Sequence, residues 1–270
     1  TGPASVELTD KLLIDLTGSS IEYAPRRYFL QGDPEALLFV EYYAESEADL
    51  VGKMELLETR LAEQGMGYAF VRALTAADQA NMWALRKAGL GLLMGMKGDA
   101  KPTSGVEDTC IPTNHLPEFV RRVQQAMTRH GVDACYYGHC SVGVLHIRPI
   151  LNLKDPKSIA ILRALEDEMS DMALEYGGAM SAEHGDGLAR SEWIPKMFGD
   201  HIANLFEEVK GVFDPQGTMN PGKIVNAPRM DENLRYGEQY ETRSLETFFS
   251  FDEEGGFQEA TELCSGVGQC

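Results

Sequence analysis

The feature that most restricts the fold is a pair of neighbouring apolar runs, Ala134 to Gly138 and Val144 to Leu151, separated by a short turn at Cys140 to Gly143. A connection that short joins antiparallel strands, because parallel neighbours need a crossover of a dozen or more residues. The chain therefore carries at least one hairpin and is not a purely parallel, doubly wound protein. In the second strand Val144, His146, Arg148 and Ile150 share one face, since side chains alternate.

Helical stripes and shorter apolar runs surround the hairpin. Leu37 to Ala44 reads as a strand. Ser46 and Asp49 then start a helix whose stripe is Leu50, Met54, Leu57 and Leu61, stopped by Gly65. Tyr68 to Ala73 reads as a strand, and Thr75 with Asp78 caps a helix carrying Met82, Trp83, Leu85 and Arg86. Val106 to Ile111 is a short strand candidate. Leu116, Phe119, Val123 and Met127 mark a helix closed by Gly131, and Asp155-Pro156 opens another with Leu162, Leu165, Met169, Met172 and Tyr176 inward. A brief strand over Ala179 to Ala182 and a last helix near Pro195 to Val212 complete the pattern. The expected class is α+β, a ferredoxin-like antiparallel sheet covered by helices.

Composition narrows the function. In 270 residues, 43% are hydrophobic and 24% charged, which suits a globular chain. No apolar run reaches the ~18 residues of a membrane span. The net charge of −18 argues against binding nucleic acid or anionic lipid. A small anionic substrate stays open, because one local arginine can outweigh a distant field. Five cysteines, an odd and low number, fit reduced thiols in a cytoplasm. No signal peptide is visible after Thr1-Gly2-Pro3-Ala4, and a Gly-rich Cys motif closes the chain, so a piece of a longer polypeptide is expected. Met230 to Glu262 holds ten acids and two arginines, as an acidic connector would, although Tyr236, Tyr240, Phe248 and Phe257 argue against a fully solvated one.

Histidines give the sharpest chemical signal. His139 and His146 flank the hairpin turn, where two imidazoles could share a metal, with Glu183 as third ligand. The plain alternative is two histidines that pack and hydrogen-bond. In Glu183-His184-Gly185-Asp186-Gly187 the glycines allow close backbone approach, and His184 could be a general base; a polar turn explains the same residues. Arg86, Lys101 and Arg148 could each hold a carboxylate or be ordinary cations. No dinucleotide or phosphate loop is present. Cys264 and Cys270 could open an iron–sulfur site, which needs four ligands, or be unpaired thiols of a flexible end.

Three segments occur together: Gly138-His139-Cys140-Ser141-Val142-Gly143-Val144-Leu145-His146, Ser181-Ala182-Glu183-His184-Gly185-Asp186-Gly187, and Phe213 to Ile224 with Asn220-Pro221-Gly222-Lys223. In this order they resemble the C-terminal half of FAD-linked oxidases of the vanillyl-alcohol oxidase type, a group with D-lactate dehydrogenases, glycolate oxidase subunits and D-2-hydroxyglutarate dehydrogenases. The tail resembles the start of an iron–sulfur domain fused to such flavoproteins in bacteria.

The resemblance implies a division of labour along the polypeptide. Residues 1–36 would lead in from an FAD-binding domain, 37–194 would form a substrate cap, 195–228 would return toward the flavin, and 229–270 would be the acidic connector and the start of the iron–sulfur domain. FAD would be bound mainly by the preceding domain, with Asn220 and Lys223 nearby. His139, His146 and Glu183 would hold a divalent metal of zinc type. His184 would take the substrate hydroxyl proton and Arg86 would hold its carboxylate. The substrate would be a D-2-hydroxy acid, and the partners the chain's own FAD and iron–sulfur domains, with a homo-oligomer compatible. The place would be the cytoplasm, or the inner membrane's periphery through an electron acceptor. The fragment alone would be inactive.

Two departures from the family pattern stand out. Many relatives have Gly-Asp-Gly-Asn between the histidines, where this chain has Ser141-Val142-Gly143-Val144, and Val106 replaces a lysine. Lys101 is a candidate to compensate. The competing classes are a zinc-dependent hydrolase using the same ligands and a non-catalytic ligand-binding ferredoxin-like module.

Overall fold

The computed structural model describes residues 1–264. In chain order the first elements are β1 (Ser5–Asp10), α1 (Lys11–Ser19), β2 (Ala36–Glu41), α2 (Glu47–Glu63) and α3 (Ala76–Met94). Next come β3 (Lys101–Pro102), β4 (Thr109–Cys110), α4 (Leu116–His130), β5 (Ala134–His139), β6 (Val144–Leu151) and α5 (Pro156–Glu175). The last are α6 (Ile194–Phe198), α7 (Asp200–Phe213) and α8 (Phe257–Glu262). Contacts divide the chain into two compact units. Unit 1 is Thr1–Leu93 with Tyr137–Ser141, and unit 2 is Met94–Tyr136 with the described residues from Val142 onward.

In unit 1 the strand order is β2-β1-β5, all antiparallel. The central strand β1 pairs Glu7 with Phe39 on one side and with His139 on the other. The strand turns straight into α1, whose cap is Asp10, accepting from the Leu13 amide at 3.2 Å. α1 buries Leu13 and Ile14, and the backbone of α3 comes close at Gly89, where a Cβ would lie 3.2 Å from the Leu13 side chain. Phe39 stacks on Trp83 at 6.5 Å.

In unit 2 β6 pairs antiparallel with both β3 and β4. The long strand β6 is buried on both faces, one of which carries His146 and Arg148. α4 contributes Phe119, Val123, Ala126 and Met127 to the core, and α5 contributes Leu162, Leu165, Met169 and Met172. α4 ends at Gly131, whose φ of 66° admits the left-handed stop, and α5 starts on an Asp155 cap followed by Pro156. The antiparallel sheet with covering helices is the α+β class expected.

Several local expectations need correction. Residues 5–19, to which the sequence pattern assigns no element, form β1 and α1. Tyr68 to Ala73 is not a strand: its side chains reach back along the chain, Tyr68 Oη to the Gln31 carbonyl and Arg72 to Glu58, and no ladder forms. Val106 to Ile111 shrinks to β4, and Ala179 to Ala182 shrinks to one bridge from Ala179 to Cys110, because the next amides turn toward Asp108. The last helix is two, α6 and α7, broken at Gly199 with φ 80°.

Candidate functional site

Unit 2 gathers a polar cluster on β6 and two loops. Alternation on β6 presents His146 and Arg148 to one face, and both are buried. The loop before β4 brings Glu107 and Asp108, and the loop after α5 brings Glu183 and His184. One ligand-type atom from each of Asp108, His146, Glu183 and His184 lies within 4.8 Å of the others. His146 Nε2 is 3.2 Å from Glu183 Oε1, and His184 Nε2 is 3.4 Å from the same oxygen. The two imidazoles stack at 4.9 Å and 7°. His184 Nδ1 faces Glu107 Oε1 at 3.4 Å.

Asp108 is fully buried with φ 74°, a left-handed conformation that Asp tolerates better than most residues. Burial works to raise its carboxyl, but donors from the His184 amide, the Ser181 hydroxyl and the Glu183 amide outweigh that and hold it below its ordinary range. Around it, Glu107 forms a buried ion pair with Arg148. Arg190 ties the same loops, donating to the Glu107 carbonyl at 3.0 Å and the Gly185 carbonyl at 2.6 Å. Two imidazoles beside carboxylates form a donor set that fits a divalent cation of zinc type.

The sequence candidates are therefore distributed. His146, Glu183 and His184 come together. His139 belongs to unit 1, where its Nδ1 lies 2.7 Å from Glu7. Arg86 is also in unit 1, donating to Glu7 at 2.8 Å with its guanidinium 5.4 Å from the Tyr137 ring centre. Arg148 is met by Glu107. Lys101 donates to the Met96 carbonyl, and burial holds its ammonium below the usual lysine range. Asn220 is exposed at φ 48°, and Lys223 Nζ reaches the Pro221 carbonyl at 3.4 Å. Cys264 is exposed, its carbonyl accepting from Arg235 at 3.0 Å, while Cys270 lies outside the described residues. Sequence reasoning missed Glu7, Glu107 and Asp108. Only the acidic pair at 107–108, inside an apolar run, offered any signal.

A family model for FAD linked oxidases, C-terminal domain, matches residues 1–224. The chain belongs to this family. As an FAD-linked oxidase C-terminal domain it is 31% identical over 238 residues to a D-2-hydroxyglutarate dehydrogenase of Escherichia coli (strain K12), covering 84% of this chain and 23% of that protein. A D-lactate dehydrogenase of Archaeoglobus fulgidus is 26% identical over 224 residues, covering 83% of this chain and 46% of that one. The domain thus spans less than a quarter of the first relative and less than half of the second. Among solved structures, a 4-ethylphenol oxidase from Gulosibacter chungangensis has the same fold, with a TM-score of 0.54 at 14% identity over 83% of this chain and 48% of that one. No helix among the domain's described residues is long and apolar enough to cross a membrane.

Proposed function

We propose that this domain is the substrate cap of an FAD-dependent oxidoreductase that oxidises a D-2-hydroxy acid of the D-2-hydroxyglutarate, D-lactate or glycolate class. The observation that carries the reading is the convergence of His146, Glu183 and His184 in a chain of this family. The names of the relatives favour the substrate class, D-2-hydroxyglutarate first.

His146 and Glu183 are the residues of unit 2 that would hold a divalent metal, with zinc the best match to imidazole and carboxylate donors. Such a metal, when bound, supplies Lewis acidity toward a hydroxyl or carboxylate oxygen. His184 is the proposed proton acceptor. Its ring is half-exposed, stacked on His146 and engaged at Nδ1 by Glu107, and Nε2, on the side of Glu183, is the atom proposed to receive the hydroxyl proton. FAD, when bound, supplies the acceptor for the α-hydrogen leaving as hydride. Asn220 and Lys223, next to a turn pinned by Asp214, are the residues of this chain proposed to approach it. Cys264 and Cys270 are the residues of this chain that would contribute to an iron–sulfur segment, whose cluster would need further ligands and would supply an electron acceptor.

The test is anaerobic mixing of the intact, flavin-loaded protein with D-2-hydroxyglutarate, D-lactate and glycolate. Bleaching of the flavin absorbance by at least one of them is expected. Unchanged absorbance with all three would remove the proposed substrate class.

A further inference from the structure

Asp108 sits among the metal-type donors but spends its carboxylate elsewhere. Its Oδ2 accepts from Ser181 Oγ at 2.9 Å, the Ala182 amide at 3.0 Å, the Glu183 amide at 3.2 Å and the His184 amide at 2.9 Å. Its Oδ1 takes a second contact from the Glu183 amide at 3.2 Å. All these donors come from one tetrapeptide, 73 to 76 residues further along the chain. The Asp108 carbonyl accepts from Ala182 as well. Three consecutive amides aimed at one anion make an anion-binding concavity, here filled by the protein's own side chain.

We propose that Asp108 is a positioning residue: it fixes the backbone of residues 181–184 so that Glu183 and His184 project toward His146, and it is not itself a metal ligand. Three observations support this. The carboxylate is fully buried, its neighbours are backbone donors that cannot move away without breaking the turn, and its own backbone is held at φ 74°. Four donors from the tetrapeptide converge on Oδ2, and the Glu183 amide is shared with Oδ1, so the carboxylate is oriented by the turn. The Asp108 amide is in turn anchored to β6 through the Leu145 carbonyl at 3.1 Å, one residue from His146. Asp108 therefore links the strand that carries one imidazole to the loop that carries the other. An asparagine there would keep one carbonyl oxygen for the amides but lose the charge that makes these bonds strong.

For its effect on metal binding the proposal rests on the reading of His146 and Glu183 as ligands; for its effect on the backbone it does not. The experiment has two arms on the intact chain, comparing wild type, Asp108→Asn and the milder Ser181→Ala. In the metal-free protein, amide hydrogen exchange is followed for the peptide covering 181–186 and for α5 as an internal control. Then zinc affinity is measured by competition with a chromophoric chelator. Asp108→Asn is expected to speed exchange at 182–184 while leaving α5 unchanged, and to weaken zinc binding by about 10- to 100-fold, the usual scale for a support residue behind a ligand. Ser181→Ala should move both readouts the same way by less. If Asp108→Asn weakens zinc while metal-free exchange at 182–184 stays at the wild-type rate, Asp108 is a ligand and the proposal is wrong. Faster exchange with unchanged zinc affinity would also overturn it, since the turn would then not position the ligands. If wild type binds no zinc, the metal reading fails, and positioning is decided by the exchange arm alone. Should Asp108→Asn fail to fold, Ser181→Ala decides between the same outcomes.

Discussion

The Glu7 carboxylate lies 2.7 Å from Nδ1 of His139, reaching across from β1 to its antiparallel partner β5. A carboxylate on one ring nitrogen fixes the tautomer and the ring's orientation. Glu7 also accepts from Arg86 at 2.8 Å, and both side chains are about nine-tenths buried. Glu7→Gln therefore leaves a buried guanidinium short of its anion. We expect a loss of roughly 3 kcal/mol in chemical denaturation, together with a changed His139 tautomer in ¹⁵N spectra. An unchanged tautomer would show that Glu7 does not set it.

Glu166 occupies the middle of α5, fully buried, with no hydrogen-bond partner for either oxygen among the described residues. It faces Gly105, where a Cβ would come within 1.9 Å of its Oε1. Burial pushes its carboxyl well above the ordinary value of 4.5, against the opposing pull of Arg190 and Arg163. A carboxyl raised on folding leaves stability intact below its ordinary value and costs stability as pH climbs above it. Glu166→Gln removes that cost. Its melting temperature should match wild type near about pH 4 and exceed it increasingly toward about pH 8. A constant difference across that range would contradict the assignment.

Asp214 closes α7 and binds the turn that follows. Lys210 donates to it at 2.7 Å, and the amides of Thr218 and Met219 each donate at 2.9 Å. Lys210 first, then these amides, hold its carboxyl down to about 2 from an ordinary 3.8. A carboxylate depressed on folding stabilises the fold above its ordinary value, and the contribution disappears as pH falls toward the folded value. The turn at 214–219 should thus loosen between 3.8 and about 2, seen as rising amide exchange at Thr218 and Met219. Asp214→Asn should show the looser turn at neutral pH, with no further acid transition there.

Burial pushes the Cys140 thiol up to about 11, with Glu7 adding to the effect and Arg86 opposing it. At about pH 8 the thiolate fraction is small, so alkylation by iodoacetamide should be on the order of a hundredfold slower than for cysteine in an unstructured peptide. Peptide mapping by mass spectrometry gives the rate directly. Labelling at the peptide rate would mean that the thiol is not shielded.

Local regularity decided what could be read from the sequence. The hairpin of β5 and β6, with α4 and α5, was legible because each has a clean period and clear ends at Gly131 and Asp155-Pro156. β1 was not, because its buried positions include Glu7 and Thr9, which look solvent-facing in a sequence. Tyr68 to Ala73 was misread since an apolar run cannot announce whether a partner strand exists. Motif order points to His139, His146 and Glu183 as ligands with His184 as the base, but Asp108 acts through residues more than seventy positions away, and no spacing rule connects them. That same carboxylate draws the amide of Ala182 out of the strand expected over Ala179 to Ala182.

The central claim is that His184 takes the proton as a D-2-hydroxy acid is oxidised. Its most direct test is the anaerobic rate of flavin reduction by D-2-hydroxyglutarate, comparing the intact wild-type protein with His184→Ala. His184→Ala is expected to slow this reduction by about 10²- to 10⁴-fold, with flavin content unchanged. A variant that reduces its flavin at nearly the wild-type rate would contradict the claim.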